Sequence, residues 1–114
     1  MQRIFLIATV ALLATGCTKA VIDETPTNPV NRTVTYNADV APIINNWCTT
    51  CHGGAAPSAG IGLSTFSEVK FQTESGNLVA RINNASNPMP PAGQLSSADI
   101  QLIEKWVSDG FPEQ

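Results

Sequence analysis

The chain has 114 residues, of which 43% are hydrophobic and only 13% charged, so it can form one small domain and is too short for a large multidomain enzyme. Six Lys and Arg against nine Asp and Glu give a formal net charge of −3. The sequence has no basic cluster that could neutralise a row of phosphates, and we expect no nucleic-acid partner. A core of this size is marginal without a crosslink or a cofactor, so the three cysteines are candidates for one or the other.

Residues 1–16 are typical of a secretory signal peptide. A basic start at Arg3 precedes a largely apolar run, residues 4–14, which is shorter than the roughly 20 apolar residues that cross a bilayer. The following small residues end at Cys17 and resemble a bacterial lipoprotein signal, in which the cysteine is acylated and the chain is cut before it. Loss of Arg3 then changes the net charge from −3 to −4. The alternative is ordinary cleavage that leaves Cys17 as a free thiol.

Residues 17–35 are rich in Thr, Pro and Asn and have little apolar periodicity, which predicts a lipidated, flexible tether. The folded domain is expected to be residues 36–114. Through its lipid anchor, the protein is predicted to be attached to a membrane of the bacterial cell envelope. The domain would then lie in the periplasm or at the cell surface.

Two clear amphipathic helices are predicted at the two ends of the domain. The first begins at Asp39 as its cap and ends at Gly53. Its apolar face consists of Val40, Ile43, Ile44 and Trp47. The last begins at Ser96, with Asp99 completing the cap, and ends at Gly110. Its apolar stripe consists of Ile100, Ile103, Trp106 and Val107.

Two brief helices are predicted between them, over residues 65–71 and 77–82, and no segment shows convincing strand alternation. The fold class is therefore expected to be all-α. Four residues are expected to be buried whatever the domain binds: Trp47, Leu63, Phe66 and Trp106.

The chemistry of the chain is concentrated in Cys48-Thr49-Thr50-Cys51-His52. Two thiols three residues apart lie on the same side of a helical turn and can add to the two vinyl groups of one haem, while the following histidine faces the iron. Three other interpretations use the same residues: a thioredoxin-like redox pair, a structural zinc site and a plain disulfide. A redox pair is typical of the start of a helix, a zinc site needs a fourth ligand, and a disulfide across so short a loop stabilises little.

A haem iron has a second axial position, and Met89 is the candidate ligand, because Met1 leaves with the signal peptide. Met89 lies in Asn87-Pro88-Met89-Pro90-Pro91, where the prolines restrict the backbone to a stiff, non-helical loop. The alternative is a methionine that fills a gap in the core.

The order of helix, CxxCH motif, Met-Pro-Pro and final helix resembles the class I cytochrome c domain, specifically the small single-haem kind on bacterial lipoproteins. The resemblance covers residues 36–111. It implies three to four helices around one covalently bound haem c, with thioether bonds from Cys48 and Cys51. By the same resemblance His52 is the proximal iron ligand, Met89 the distal ligand, and the carbonyl of Pro57 accepts the other ring N–H of the histidine.

These features predict a membrane-tethered electron carrier rather than an enzyme, because both axial positions of the iron are taken by the protein. Its expected partners are redox proteins, docked through basic patches that complement its acidic charge. Two alternatives remain: a haem-based gas sensor in which Met89 yields to a small ligand, and a haem subunit of a larger oxidoreductase.

Overall fold

The computed structural model describes residues 29–114, and this part of the chain is helical and contains no strand. The expected signal peptide, the Cys17 lipidation site and most of the expected tether lie outside the described residues. A π-helical turn, Tyr36–Val40, leads directly into α1, Ala41–Trp47, and α2, Thr49–His52, follows after one residue.

The second half of the described chain contains α3, Phe66–Glu74, α4, Leu78–Ile82, and α5, Ser97–Ser108. A 3-10 turn, Ser58–Gly60, lies in the loop between α2 and α3. The all-α class is confirmed, and both brief middle helices form close to their predicted positions. None of the helices between residues 29 and 114 has the length and apolar content needed to cross a membrane.

The first helical segment begins at Tyr36, three residues before the predicted cap, and the prediction of Asp39 as the cap was wrong. The Asp39 carboxylate instead accepts hydrogen bonds from the Thr35 backbone N–H at 2.9 Å and from the Arg32 guanidinium at 2.5 and 2.8 Å. Asp39 therefore stabilises the turn from within, by satisfying an N–H at the helix start. The predicted cap of α5 is confirmed, because the Ser96 hydroxyl accepts from the Asp99 N–H at 3.1 Å.

The core lies between the π-helical turn, α1 and α5. Its buried hydrophobic residues are Val34, Tyr36, Val40, Ile43, Ile44, Leu63, Val69, Ile82, Leu95, Ile103 and Trp106. Trp106 is fully buried, with its ring 5.8 Å from that of Tyr36 and 4.9 Å from that of Phe111. Its indole N–H donates to the Pro112 carbonyl at 3.0 Å, so burial leaves no polar atom of this ring unpaired.

Candidate functional site

The CxxCH motif forms one helical turn directly after α1. The Cys48 N–H donates to the Ile44 carbonyl at 2.8 Å, and the Cys48 carbonyl accepts from the N–H groups of Cys51 at 3.2 Å and His52 at 2.8 Å. Cys48 is half-buried and Cys51 is exposed. Because residues i and i+3 are neighbours on a helix surface, the two thiols lie on one side of this turn. The geometry that the sequence predicted for the pair is therefore present.

The helix ends directly after the histidine because of Gly53. This glycine is extended, with φ of −106° and ψ of 173°. A Cβ atom there would lie 2.5 Å from the Thr49 carbonyl oxygen, which is closer than side-chain carbons approach backbone. A residue without a side chain therefore lets the chain turn away tightly after His52, as the sequence predicted.

The His52 ring is oriented by the loop that follows it. Its Nδ1 atom lies 3.0 Å from the Ile61 carbonyl oxygen, and its own backbone carbonyl accepts from the Leu63 N–H at 2.8 Å. A carbonyl can only accept, so this contact favours the tautomer with the proton on Nδ1. That tautomer keeps the Nε2 lone pair available for a metal.

The prediction that the Pro57 carbonyl would hold this ring nitrogen was wrong. The Pro57 carbonyl accepts from the Gly60 N–H at 3.0 Å and thereby closes the 3-10 turn. The chain then returns to the histidine four residues later, and the carbonyl of Ile61 takes the expected role. A backbone carbonyl therefore contacts the ring nitrogen, as predicted, but it belongs to Ile61 and not to Pro57.

The cysteine environment bears on the alternative interpretations of the motif. No disulfide joins Cys48 and Cys51, and burial raises the pKa of the Cys48 thiol to about 11. A redox-active pair depends on a thiol whose pKa is lowered, so the raised value is unfavourable for thioredoxin-like chemistry. Within the part of the chain that the structure describes, no group of three or more His, Cys, Asp or Glu side chains is arranged to hold a metal ion.

Met89 lies half-buried in the loop between α4 and α5. Its backbone N–H donates to the Arg81 carbonyl at 3.2 Å, near the end of α4. The Gln94 side chain, on the far side of the loop, donates to the Ile82 carbonyl at 3.3 Å. The Met89–Pro90 peptide bond is cis. The loop is therefore attached to the end of α4 at two points, one on either side of the prolines.

One cavity of about 740 Å³ brings the predicted site residues together. Cys48, Cys51, His52 and Met89 all line it, although Met89 is 37 residues from His52 in the sequence. Its volume lies in the range of ligand pockets, and its lining is mostly apolar. The other lining residues are Trp47, Ser58, Ala59, Ile61, Leu63, Gln72, Gly76, Asn77, Leu78, Arg81, Ile82, Pro90, Pro91 and Ala92.

The structure separates the two tryptophans. Trp47 lines the cavity and is 52% exposed, so the prediction that it is buried was wrong. It is the last residue of α1, on the side of the helix that borders the cavity rather than the core. Trp106 belongs to the core and does not line the cavity. Ile103, on the same apolar stripe of α5, is also buried in the core and does not line the cavity.

No sequence pattern points to the residues of α3 and α4 that line the cavity. These are Gln72, Leu78, Arg81 and Ile82. The sequence predicts the brief helix over residues 77–82, but its pattern does not indicate which side of that helix borders the cavity. The one available signal was Arg81, a charged residue inside an otherwise apolar segment.

Comparisons with known proteins give no match. No protein-family model matches the chain, no curated protein matches it, and no solved structure matches its fold. The functional interpretation therefore depends on the motif, the cavity and their chemistry.

Proposed function

We propose that residues 36–114 form a class I c-type cytochrome domain with one covalently attached haem, and that the protein is a membrane-tethered electron carrier outside the cytoplasm. One observation carries the proposal: a single apolar cavity is lined by both thiols of the CxxCH motif, by its histidine and by Met89. The first three come from one helical turn and the fourth from a distant loop.

The residues of the cavity fit a haem group in number and in kind. Cys48 and Cys51 would hold the porphyrin through thioether bonds, and His52 and Met89 would bind the iron. The apolar lining suits a large, flat, apolar macrocycle. When bound, the haem supplies a one-electron couple between ferric and ferrous iron.

The protein residues hold and orient the cofactor. The Ile61 carbonyl fixes the His52 ring through Nδ1, and the Arg81 carbonyl fixes the Met89 backbone. A thioether ligand favours ferrous iron and raises the reduction potential. If His52 and Met89 both bind the iron, the protein would leave no coordination position for a substrate, which favours an electron carrier over an enzyme, a gas sensor or a ligand-binding module.

The cellular setting belongs to the same proposal. Acylation of Cys17 anchors the chain in a membrane of the cell envelope, and residues 17–35 tether the domain. The chain is acidic, with a formal net charge of −3 before any cleavage, and this favours redox partners with basic docking patches. A Cys17→Ser variant is expected to leave the membrane fraction and appear in the soluble fraction after export.

The decisive experiment is expression of the full chain with export in a bacterium that attaches haem to CxxCH proteins. We expect haem that remains bound on a denaturing gel, a reversible spectral change on reduction, and a reduced spectrum that carbon monoxide leaves unchanged. A Cys48→Ala, Cys51→Ala double variant should lose the covalent haem. Wild-type protein that acquires none would overturn the proposal, and rapid carbon monoxide binding would favour a sensor instead.

A further inference from the structure

The loop that orients His52 contains an unusual backbone conformation. Ala59, in the 3-10 turn Ser58–Gly60, has φ of 56° and ψ of 19°, which lies in the left-handed region. Among residues 29–114, Phe111 is the only other residue besides glycines with a positive φ. This region is unfavourable for alanine, because its Cβ atom then crowds a backbone carbonyl oxygen, whereas glycine adopts it freely. The conformation of Ala59 is therefore strained.

The turn requires positive φ at two successive residues. The Ile61 N–H donates to the Ser58 carbonyl at 3.1 Å, so Ala59 and Gly60 are the two central residues of a tight turn. Gly60 also has a positive φ, of 69°. Turns with positive φ at both central residues usually have Gly, Asn or Asp there. The second central position follows this preference, and the first has an alanine instead.

The same turn places the carbonyl that contacts the histidine ring. The N–H of Ile61 closes the turn, and its carbonyl oxygen lies 3.0 Å from the Nδ1 atom of His52. Two residues later, the Leu63 N–H donates to the His52 carbonyl at 2.8 Å. Ile61 is thus held by the turn on one side and by the contact between Leu63 and His52 on the other. The position of its carbonyl therefore depends on the conformation of the turn.

Core packing does not explain why an alanine occupies this position. Ala59 is exposed and does not belong to the hydrophobic core, so burial of its methyl group does not offset the strain. Ala59 does line the cavity, together with Ile61 and His52. The strained residue therefore lies where the loop meets the candidate site, which is where backbone strain most often has a functional reason.

We propose that Ala59 is a positioning residue for His52, and that its strained turn determines how firmly the Ile61 carbonyl holds the histidine ring. Strain lowers the free energy needed to open the turn, so the hydrogen bond at Nδ1 is weaker than an unstrained turn would make it. A stronger bond at Nδ1 makes the imidazole a more basic ligand, which favours ferric iron and lowers the reduction potential. Ala59 therefore keeps the potential higher, in the same direction as the Met89 thioether. This inference rests on the proposed function and adds to it a residue that adjusts the potential.

Two substitutions of Ala59 should have opposite effects. Ala59→Gly removes the strain and keeps the turn, because glycine adopts positive φ freely. Ala59→Val increases the strain, because a β-branched residue is still less compatible with this region. The matched controls are Ala55→Gly and Ala55→Val, in the same loop. Ala55 is exposed, has no positive φ and does not line the cavity.

The test measures hydrogen exchange of the His52 Nδ1 proton by NMR, and the reduction potential, on the full-length, haem-loaded protein. In Ala59→Gly we expect exchange to be slower than in wild type by at least about twofold, and the potential to be lower. In Ala59→Val exchange should be faster and the potential higher. Both Ala55 variants should keep the exchange rate and the potential of wild type.

Equal exchange rates and potentials in wild type and both Ala59 variants would overturn the role of Ala59 and leave the cytochrome proposal standing. A purely structural role would change the midpoint of urea unfolding without changing the potential, and that result would also overturn the inference. If Ala59→Val does not accumulate, Ala59→Gly decides, because exchange no slower than in wild type contradicts the proposal.

Failure of the cytochrome proposal can be distinguished from failure of this inference. Exported wild type that acquires no haem would overturn the former. In that protein the ¹⁵N chemical shifts of the His52 ring report which nitrogen carries the proton. The fraction with the proton on Nδ1 should then be higher in Ala59→Gly than in wild type, and an equal fraction in both would overturn the positioning role of Ala59.

Discussion

At the scale of single residues, the two proposed iron ligands, His52 and Met89, are held by the backbone in different ways. A carbonyl of the loop before α3 contacts the histidine ring itself, at 3.0 Å. The methionine has no such contact on its side chain, and only its backbone N–H is attached to α4. The thioether therefore depends on the stiffness of its proline-flanked loop for its position.

Met89→Ala tests whether the thioether is an iron ligand. We expect the oxidised wild type to show the weak sulfur-to-iron charge-transfer band in the far red, and the variant to lose it and to have a lower reduction potential. The variant should also bind carbon monoxide rapidly, since one axial position is then free. Absorption spectroscopy and redox titration measure these changes.

The matched control is Leu78→Ala, which enlarges the same cavity without removing a candidate ligand. It should keep the far-red band and resist carbon monoxide. If Leu78→Ala binds carbon monoxide as fast as Met89→Ala does, access to the cavity and not ligation by sulfur controls binding.

At the scale of elements, local signals predicted the helices well and the loops poorly. The apolar stripe of α5 follows from the 3.6-residue period of a helix. Its Ser96 cap follows from the N–H groups of the first turn, which have no partner within the helix. Both signals are local in the sequence. The identity of the carbonyl behind His52 depends on how residues 53–61 fold back. This loop has no periodicity and contains three glycines, so several paths are compatible with its sequence.

The same dependence on how distant segments pack explains why the contacts of Asp39 and the position of Arg81 could not be predicted from the sequence. An acid before an apolar run predicts a cap, but the Asp39 carboxylate instead binds Arg32, which is seven residues away in an irregular segment. The position of Arg81 at the cavity depends on how α4 packs, and a five-residue helix carries too few apolar positions to define its buried side. The cysteines, His52 and Met89 could be chosen as candidates from their chemistry alone, and the structure places all four around one cavity. Their roles as haem ligands stay a prediction.

The N-terminal cap of α3 gives a prediction at this scale. The Thr65 hydroxyl accepts from the Glu68 N–H at 3.3 Å, and the Glu68 carboxylate accepts from the Thr65 N–H at 2.9 Å. Thr65→Ala should lower the free energy of unfolding by about 1 kcal/mol, measured by urea denaturation of the haem-loaded protein. Thr65→Ser keeps the oxygen and should stay close to wild type. Equal losses in both variants would show that the methyl group, and not the cap, stabilises this turn.

At the scale of the whole molecule, the described domain is closed by contacts between its first and last residues. The N–H groups of Tyr36 and Asn37 donate to the carbonyls of Pro112 and Glu113 at 2.9 and 3.0 Å. The Asp109 carboxylate accepts from the Val34 N–H at 2.9 Å and also from the Lys105 ammonium group. Asp109 thus joins the segment before the π-helical turn to the end of α5.

The hydrogen-bonded carboxylates of Asp109 and Asp39 make the free energy of unfolding depend on pH. Hydrogen bonding by Lys105, followed by that of the Val34 N–H, lowers the pKa of Asp109, and hydrogen bonding by Arg32 lowers the pKa of Asp39. A carboxyl whose pKa is lower in the folded state stabilises the fold above its unfolded pKa, which is about 4. That contribution is lost as the pH falls further, through the folded pKa. Wild-type protein should therefore lose stability steadily below about pH 4.

Asp109→Asn should be less stable than wild type at pH 7, because it loses the ionic contact with Lys105 and weakens the bond to the Val34 N–H. The difference should narrow as the pH falls from about 4, since protonation makes the wild-type side chain neutral, as that of the variant already is. Urea denaturation followed by far-UV circular dichroism, at pH 7 and at a series of acid values, measures both effects. Glu113→Gln removes an exposed carboxylate from the same terminal segment without an ion pair, and should follow the wild-type curve. The difference in the free energy of unfolding between Asp109→Asn and wild type could instead stay constant from pH 7 into the acid range. That result would show that the charge of the Asp109 carboxylate does not stabilise the contact between the two ends of the domain, and that the shape of the side chain alone does.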